Sequence, residues 1–380
     1  MKILTLLLLC ACSLAEYEPR YQDAQWARNL LPKESKISVP TAPALPRIHV
    51  SELDLPRNQK YKNRKMPFIL TGAMDDWPAL KKWKLKKSVS ENYLTELFPH
   101  YVSDFYPYNM LQQGQHPHLI RFRSGVNEVL NPSGRYSDFS GKAHVCPEIQ
   151  GCSYIHLQLT PAMWSQLEEI GDIPKNRHVH TEGDQWWMRR CLEDPEVRAE
   201  FHLKTHWKII LIGSRGSGMF NHSDSLLSTS WHGHVQGKKW WYVCSPKGFG
   251  YEGPQICFES VLVPGEVLYY GAGWFHETRN LDFPSMTITG TVIHKQNFEL
   301  IADKFLSECA HDSLNFKLSG KLCDALDKCY GVWHKYLKGS PAPEHRWRPW
   351  RSISKPEIIQ KRDETDPTHN NYDGRNYIAE

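Results

Sequence analysis

The sequence predicts a mainly β chain with flanking helices, its core a double-stranded β-helix of jelly-roll type. Two observations carry that prediction. From Trp207 to about His294 the chain is a succession of short apolar or alternating runs, broken at Gly237-Lys238, Pro246-Lys247-Gly248 and Pro264-Gly265-Glu266. Eight strands fit it: 207–213, 218–224, 229–236, 239–244, 256–263, 266–271, 274–280 and 285–294. Strands this short and this evenly spaced close most simply into a barrel or sandwich. Helical periodicity, by contrast, is confined to the flanks: Met163, Trp164, Leu167 and Ile170 before the β region, Leu322, Leu326, Trp333 and Leu337 after it.

Taken in order, residues 1–15 carry the features of a secretory signal peptide. Lys2 starts it, Ile3 to Ala11 form the apolar core, and Ser13-Leu14-Ala15 is a small-residue cleavage site. Residues 16–46 are polar and Pro-dotted, an extended lead-in. A domain at 47–300 follows, with an insertion at about 172–205; then come C-terminal helices at 301–338 and an irregular, charged tail at 339–380. Within the domain, 47–56 is a short strand and turn, and Pro67 to Gly72 is a β run closed by glycine. Ser88 with Glu91 predicts a capping box that opens a helix through Tyr93, Leu94, Leu97 and Phe98, stopped at Pro99. Residues 100–150 are turn-rich and unassigned. Tyr154 to Leu159 alternate as a strand, and Thr160-Pro161 caps the helix that Gly171 ends.

Composition bounds the function. With 40% hydrophobic residues in 380, the chain folds around a sizeable core. The formal charge of +4 is spread out; the runs at 60–65 and 81–87 are solvated faces, and no basic stripe implies nucleic acid as a partner. After the leader no run is long and apolar enough to predict a membrane span. The C-terminal Ile378-Ala379-Glu380 is not a retention signal, so the expected location is the secretory pathway, either endoplasmic reticulum lumen or secreted. Cysteine usage fits an oxidising compartment: eight remain after Cys10 and Cys12, and Cys146 with Cys152, flanking a Pro/Gly turn, is the first expected bridge.

The chemistry-bearing stretch is Gly216-Ser217-Gly218-Met219-Phe220-Asn221-His222-Ser223-Asp224. On a strand, His222 and Asp224 point to one face, about 6–7 Å apart along the chain. Gly265 to Gly273 deliver Trp274-Phe275-His276, so His276 can supply a third ligand where the strands meet. Two imidazoles and a carboxylate leave roughly half an octahedral shell open, as a non-haem Fe(II) centre requires, whereas structural zinc wants a closed shell. A rival cluster, His178-Val179-His180-Thr181-Glu182, lies in a polar stretch without strand alternation and fits a surface or lid. Asn221-His222-Ser223 is formally a glycosylation sequon, but a glycan would block the metal strand.

These residues carry a resemblance. The runs Lys208–Trp241 and Val263–Asn297 resemble the JmjC/cupin-8 family of Fe(II)- and 2-oxoglutarate-dependent oxygenases, and Pro67 to Leu80 resembles the opening segment of the same family. The wording is nearest to JmjC protein hydroxylases: His222-x-Asp224, Val235-Gln236-Gly237-Lys238-Lys239-Trp240, Pro264-Gly265-Glu266 and Gly273-Trp274-Phe275-His276. The resemblance implies that His222, Asp224 and His276 hold Fe(II). It places Lys239 where a lysine pairs with the distal carboxylate of 2-oxoglutarate; otherwise Lys239 snorkels to solvent from its Gly-Lys-Lys turn. Thr289 falls near a hydroxyl-bearing position for the same carboxylate, and Asn280 near a supporting one. His232 stands where related hydroxylases carry Asn beside the co-substrate, and His234 follows on the same face. Either they replace that amide as hydrogen-bond donors or they crowd the iron.

The implied partners are O2 and a protein or peptide whose side chain is hydroxylated, and the C-terminal helices at 298–337 would supply a homodimer interface. The leader disfavours histone demethylation. Two alternatives stay open: a jelly-roll scaffold with a vestigial metal site, and a cupin-like metalloenzyme that does not use 2-oxoglutarate.

Overall fold

The computed structural model describes residues 42–62, 66–106, 117–133, 135–145, 154–174, 192–204, 208–224, 229–246, 255–292, 301, 305–306, 309 and 318–333. Fourteen strands are described. In chain order β1 is Arg47–His49, β2 Phe68–Thr71, β3 Val102–Tyr106, β4 His118–Arg121, β5 Arg135–Ser137, β6 Ala143–Val145 and β7 Tyr154–Gln158. The second half contributes β8 Lys208–Gly213, β9 Thr229–Gln236, β10 Lys239–Cys244, β11 Cys257–Leu262, β12 Val267–Tyr270, β13 Phe275–Asn280 and β14 Ser285–Val292.

Nine strands form one sheet in the order β1-β2-β12-β9-β14-β8-β7-β3-β4, parallel only at β1–β2. A three-stranded sheet, β11-β10-β13, faces it. The chain crosses between the sheets at three turns with a positive-φ glycine, Gly237, Gly265 and Gly273. Gly237 (φ 77°) lies between β9 and β10, where a Cβ would sit 2.8 Å from the Pro284 carbonyl oxygen; Gly273 (φ 73°) lies between β12 and β13. This is the predicted mainly β jelly roll of the JmjC/cupin kind.

The expected strands at 229–236 and 239–244 form with those bounds, and those expected at 207–213, 256–263, 266–271 and 274–280 form within a residue. The segment 218–224 departs from expectation. It is no ladder strand; it meets β13 through isolated bridging, as at His222 to His276. Backbone bonds join Asn280 N to Ser217 O, Thr278 N to Met219 O and His276 N to His222 O. The step from Met219 to His222 is thus one residue longer than the facing step from Thr278 to His276, which is a bulge. Gly218 is required beside it, because a Cβ there would lie 1.9 Å from the Thr278 carbonyl oxygen.

Helices cover the outer face of the large sheet. The helices that matter are α1 (Ala79–Lys82), α2 (Phe122–Leu130), α3 (Pro161–Glu169), α4 (Pro195–Lys204) and α5 (Gly320–Trp333). Phe122 and Val126 of α2 and Met163, Trp164 and Leu167 of α3 join Ile210, Ile212, Trp231, Val235, Met286 and Ile288 in one core. Thr160 caps α3 as expected, its Oγ1 accepting from Met163 N. The Ser88 capping box does not form: Ser88 Oγ bonds Ser90 Oγ instead, and a short 3-10 turn precedes the helix at Tyr93–Leu97. Asn92 stands at the N-cap without a side-chain cap bond, its side chain bonding the backbone N–H and C=O of Lys86 instead.

Two disulfides are described. Cys244–Cys257 joins facing positions of β10 and β11, and Cys309–Cys323 ties the start of α5. Cys146 and Cys152, like the His178–Glu182 cluster, the leader and the tail, lie outside the described residues. No helix among the described residues is long and apolar enough to cross a membrane.

Candidate metal centre

The fold brings the expected triad together. One ligand atom each from His222, Asp224 and His276 lies within 4.8 Å of the others, and this is the one such cluster of His, Cys, Asp and Glu among the described residues. His276 sits in β13, almost fully buried, while His222 and Asp224 sit on the bulged segment at the mouth. The two histidines are held alike. His222 Nδ1 lies 2.7 Å from the Phe220 carbonyl oxygen, and His276 Nδ1 3.1 Å from that of Trp274. A carbonyl only accepts, so both Nδ1 atoms carry a proton, which leaves Nε2 of each ring as the position for a metal. Each histidine is therefore oriented by the carbonyl two residues before it, the outer-shell arrangement metal-binding imidazoles use.

Electrostatics keep the donors in metal-binding form. Burial pushes the Asp224 carboxyl up, but the neighbouring His276 and His222 and the Ser230 hydroxyl, 2.7 Å from Oδ2, outweigh it and hold the group below its usual range. Burial, reinforced by His222, lowers His276 to about 4, so its ring is neutral near pH 7.

Lys239 faces the same interior from β10. It is 1% exposed, and its Nζ donates to the Tyr154 hydroxyl at 2.9 Å. No carboxylate pairs with it among the described residues, and burial alone drives it down to about 7. The Tyr154 and Trp241 rings flank the ammonium at 5.3 and 5.6 Å. It does not snorkel. An anion delivered to this point would supply the counter-charge that the protein withholds.

The remaining expected residues divide. Thr289 Oγ1 donates to the Trp231 carbonyl at 2.8 Å and lies 3.3 Å from His232 Nε2. The Phe283–Pro284 turn leaves Thr289 directly opposite His232. His232 is buried and held uncharged by burial first and by His276 and Lys239 next. It is not one of the clustered donors; its Nε2 bonds the Tyr270 hydroxyl at 2.9 Å. His234 bonds Thr287 Oγ1 through Nδ1 at 3.1 Å, and burial lowers it to about 3. Asn280 turns its amide to Ser217 Oγ at 2.9 Å, and Ser217 Oγ donates to Ser214 O, so Asn280 braces the loop that leads to His222.

Two polar residues at the centre escaped sequence reasoning. Tyr270 OH lies 3.1 Å from Asp224 Oδ2 and 3.2 Å from His276 Nε2, and Ser230 holds the same carboxylate. Tyr270 alternates correctly on β12 and so looks like core; Ser230 precedes a tryptophan and looks like strand filler. Both share a face with a ligand-bearing layer, and only the pairing of β12 with β9 shows it.

Fold and donors define the class: a JmjC/cupin-type jelly roll whose inner face gathers a His-x-Asp…His set fitted to a first-row divalent ion, beside a buried cation fitted to a carboxylate. The chain is similar to the Arabidopsis thaliana protein named Lysine-specific demethylase JMJ21, at 23% identity over 270 residues. That match covers 66% of this chain and 25% of the plant protein, so the chain spans about a quarter of that relative's length. No family model matches the chain.

Proposed function

We propose that this chain is an Fe(II)- and 2-oxoglutarate-dependent oxygenase of the secretory pathway that hydroxylates a side chain of a protein or peptide. The observation that carries the reading is the uncompensated Lys239 ammonium, buried on the face that also presents His222, Asp224 and His276. A scaffold would need neither the buried cation nor the neutral His276 imidazole. Bound Fe(II) with 2-oxoglutarate and O2 supplies the oxidation: the co-substrate loses CO2 to give succinate, and one oxygen atom enters a substrate C–H bond.

The chain's own residues then divide the work. His222 and His276 offer Nε2, each locked by a backbone carbonyl. Asp224 offers a carboxylate oxygen while Ser230 and Tyr270 hold the other. Lys239 pairs with the far carboxylate of the co-substrate, with Tyr154 fixing the direction of its ammonium. The apolar wall of Trp241, Val243 and Leu268 keeps bulk water from that ion pair.

The plant relative's name supports a protein substrate and a lysine as its acceptor. Hydroxylation is favoured over histone demethylation by the leader-like residues 1–15 and by the disulfides among the described residues, which suit an oxidising compartment rather than a nucleus. The test is succinate release in air by the full chain supplied with Fe(II) and 2-oxoglutarate. Wild type is expected to release succinate and His222→Ala to lose at least about 100-fold of it. Equal rates from both, or none from wild type, contradict the reading.

A further inference from the structure

We propose that Thr278 and Arg279 are positioning residues of the metal centre: they wedge the segment beside β13 out of register by one residue and so turn His222 inward. The proposal rests on the reading that His222, Asp224 and His276 bind a metal, and goes beyond it.

Its first support is side-chain direction. His222 and His276 exchange both backbone bonds, at 3.0 and 2.7 Å. A regular antiparallel ladder continued from that pair sets Phe220 opposite Thr278. The Thr278 N–H donates to Met219 O instead, at 3.1 Å. Met219 and His222, three residues apart, consequently face the same interior. Met219 packs against Tyr106, Tyr154, Ile209 and Leu211, and the His222 ring lies 4.2 Å from that of His276. The period of two in an extended chain allows only one of the pair inside. Without the bulge, a chain anchored at Met219 turns His222 outward, and Asp224 with it.

The second support is backbone accounting. A bulge breaks the ladder and leaves backbone groups to be satisfied in other ways. The Met219 N–H goes to Thr278 Oγ1 at 3.1 Å, and the Thr278 carbonyl accepts from Arg279 Nη1 at 2.7 Å. Two neighbouring side chains of β13 thus take the place of ladder bonds.

The third support is where Arg279 directs its donors. It is 0% exposed, and an arginine that buried requires a partner. Glu277 Oε1 takes Nη2 at 2.7 Å. Nη1 then spans the two carbonyls at the bulge, Thr278 O and, at 3.3 Å, Met219 O. A planar guanidinium held by Glu277 fixes both carbonyls in one geometry.

The experiment titrates Co(II) into the full chain and follows affinity and the visible d–d spectrum, with urea unfolding of the metal-free chain measured separately. Thr278→Val should bind Co(II) at least about tenfold more weakly than wild type and with an altered spectrum, because His222 is no longer held at the ion. Thr278→Ser keeps the hydroxyl and should bind like wild type. In the double variant Thr278→Val with His222→Ala, the loss should be smaller than the sum of the two single losses. Wild-type affinity and spectrum in Thr278→Val overturn the proposal, as do additive losses. A lowered unfolding midpoint with binding unchanged marks a merely structural role and overturns it too. Arg279→Lys keeps the charge beside Glu277 but has one nitrogen where Arg279 uses two. It should weaken Co(II) binding in the same way, and it decides the matter where Thr278→Val does not fold; wild-type binding there overturns the proposal. Wild type that takes up no Co(II) overturns the metal reading beneath it.

Discussion

Strands β9 and β14 run side by side and bury both of their faces, yet the faces differ in chemistry. Outward, Trp231, Val235, Met286, Ile288 and Val292 pack under the helices. Inward, the same strands present Ser230, His232, His234, Thr287, Thr289 and Thr291, all buried. Burial alone therefore does not distinguish core from site here. The outer face gains free energy for every group it removes from water. The inner face gives it up, to neutral imidazoles and, from β10, to an ammonium without a counter-ion. A buried polar layer one residue out of phase with an apolar one is the physical mark of a binding site.

Substitutions that separate the two faces sharpen this contrast. The largest expected effect is on the apolar face. Trp231 is fully buried and meets Trp77 edge-on at 6.5 Å, so Trp231→Ala should destabilise the fold by about 3–5 kcal/mol in urea unfolding. On the polar face Lys239→Met should do the opposite without co-substrate, stabilising by about 1–4 kcal/mol while 2-oxoglutarate binding falls at least about tenfold. A destabilised Lys239→Met would break the contrast.

A smaller effect follows from pH. Lys239 sits at about 7 in the folded chain against 10.5 ordinarily. The unfolded chain binds the extra proton between those values, so stability should rise with pH from about 7 to about 10, by at most about 1.4 kcal/mol per pH unit. Below pH 7 the full penalty is present, and Lys239→Met should flatten the slope above it. Smallest is Thr289→Val, which removes the bond to the Trp231 carbonyl and the acceptor of His232. It should cost about 1 kcal/mol in the same unfolding experiment and weaken 2-oxoglutarate binding less than Lys239→Met does.

Much of this was legible in the sequence, for physical reasons that differ by region. The β9 and β10 bounds follow from Gly237-Lys238, because a residue with positive φ and a crowded Cβ position punctuates the chain sharply. His222, Asp224 and His276 were legible from ligand types and spacing alone, although His222 and Asp224 stand on an irregular segment rather than the expected strand. The bulge at Phe220-Asn221 was not, since nothing in the side chains there marks an extra residue; Thr278 and the close approach at Gly218 create it from across the strand. Residues 102–106 form a strand buried on both faces, Ser103 and Asp104 included, so no alternation announced β3. Tyr270 hid for the opposite reason: it alternates as a core residue should, and only the strand order brings its hydroxyl to Asp224.

The central claim, that the polar face holds a metal and a dicarboxylate together, is tested most directly by anaerobic titration of 2-oxoglutarate into the Fe(II)-loaded full chain. A weak visible metal-to-ligand charge-transfer band that saturates in wild type, and needs at least about tenfold more co-substrate in Lys239→Met, is the predicted result. An iron-loaded wild type that develops no such band, or a Lys239→Met variant that saturates at the same concentration, would contradict it.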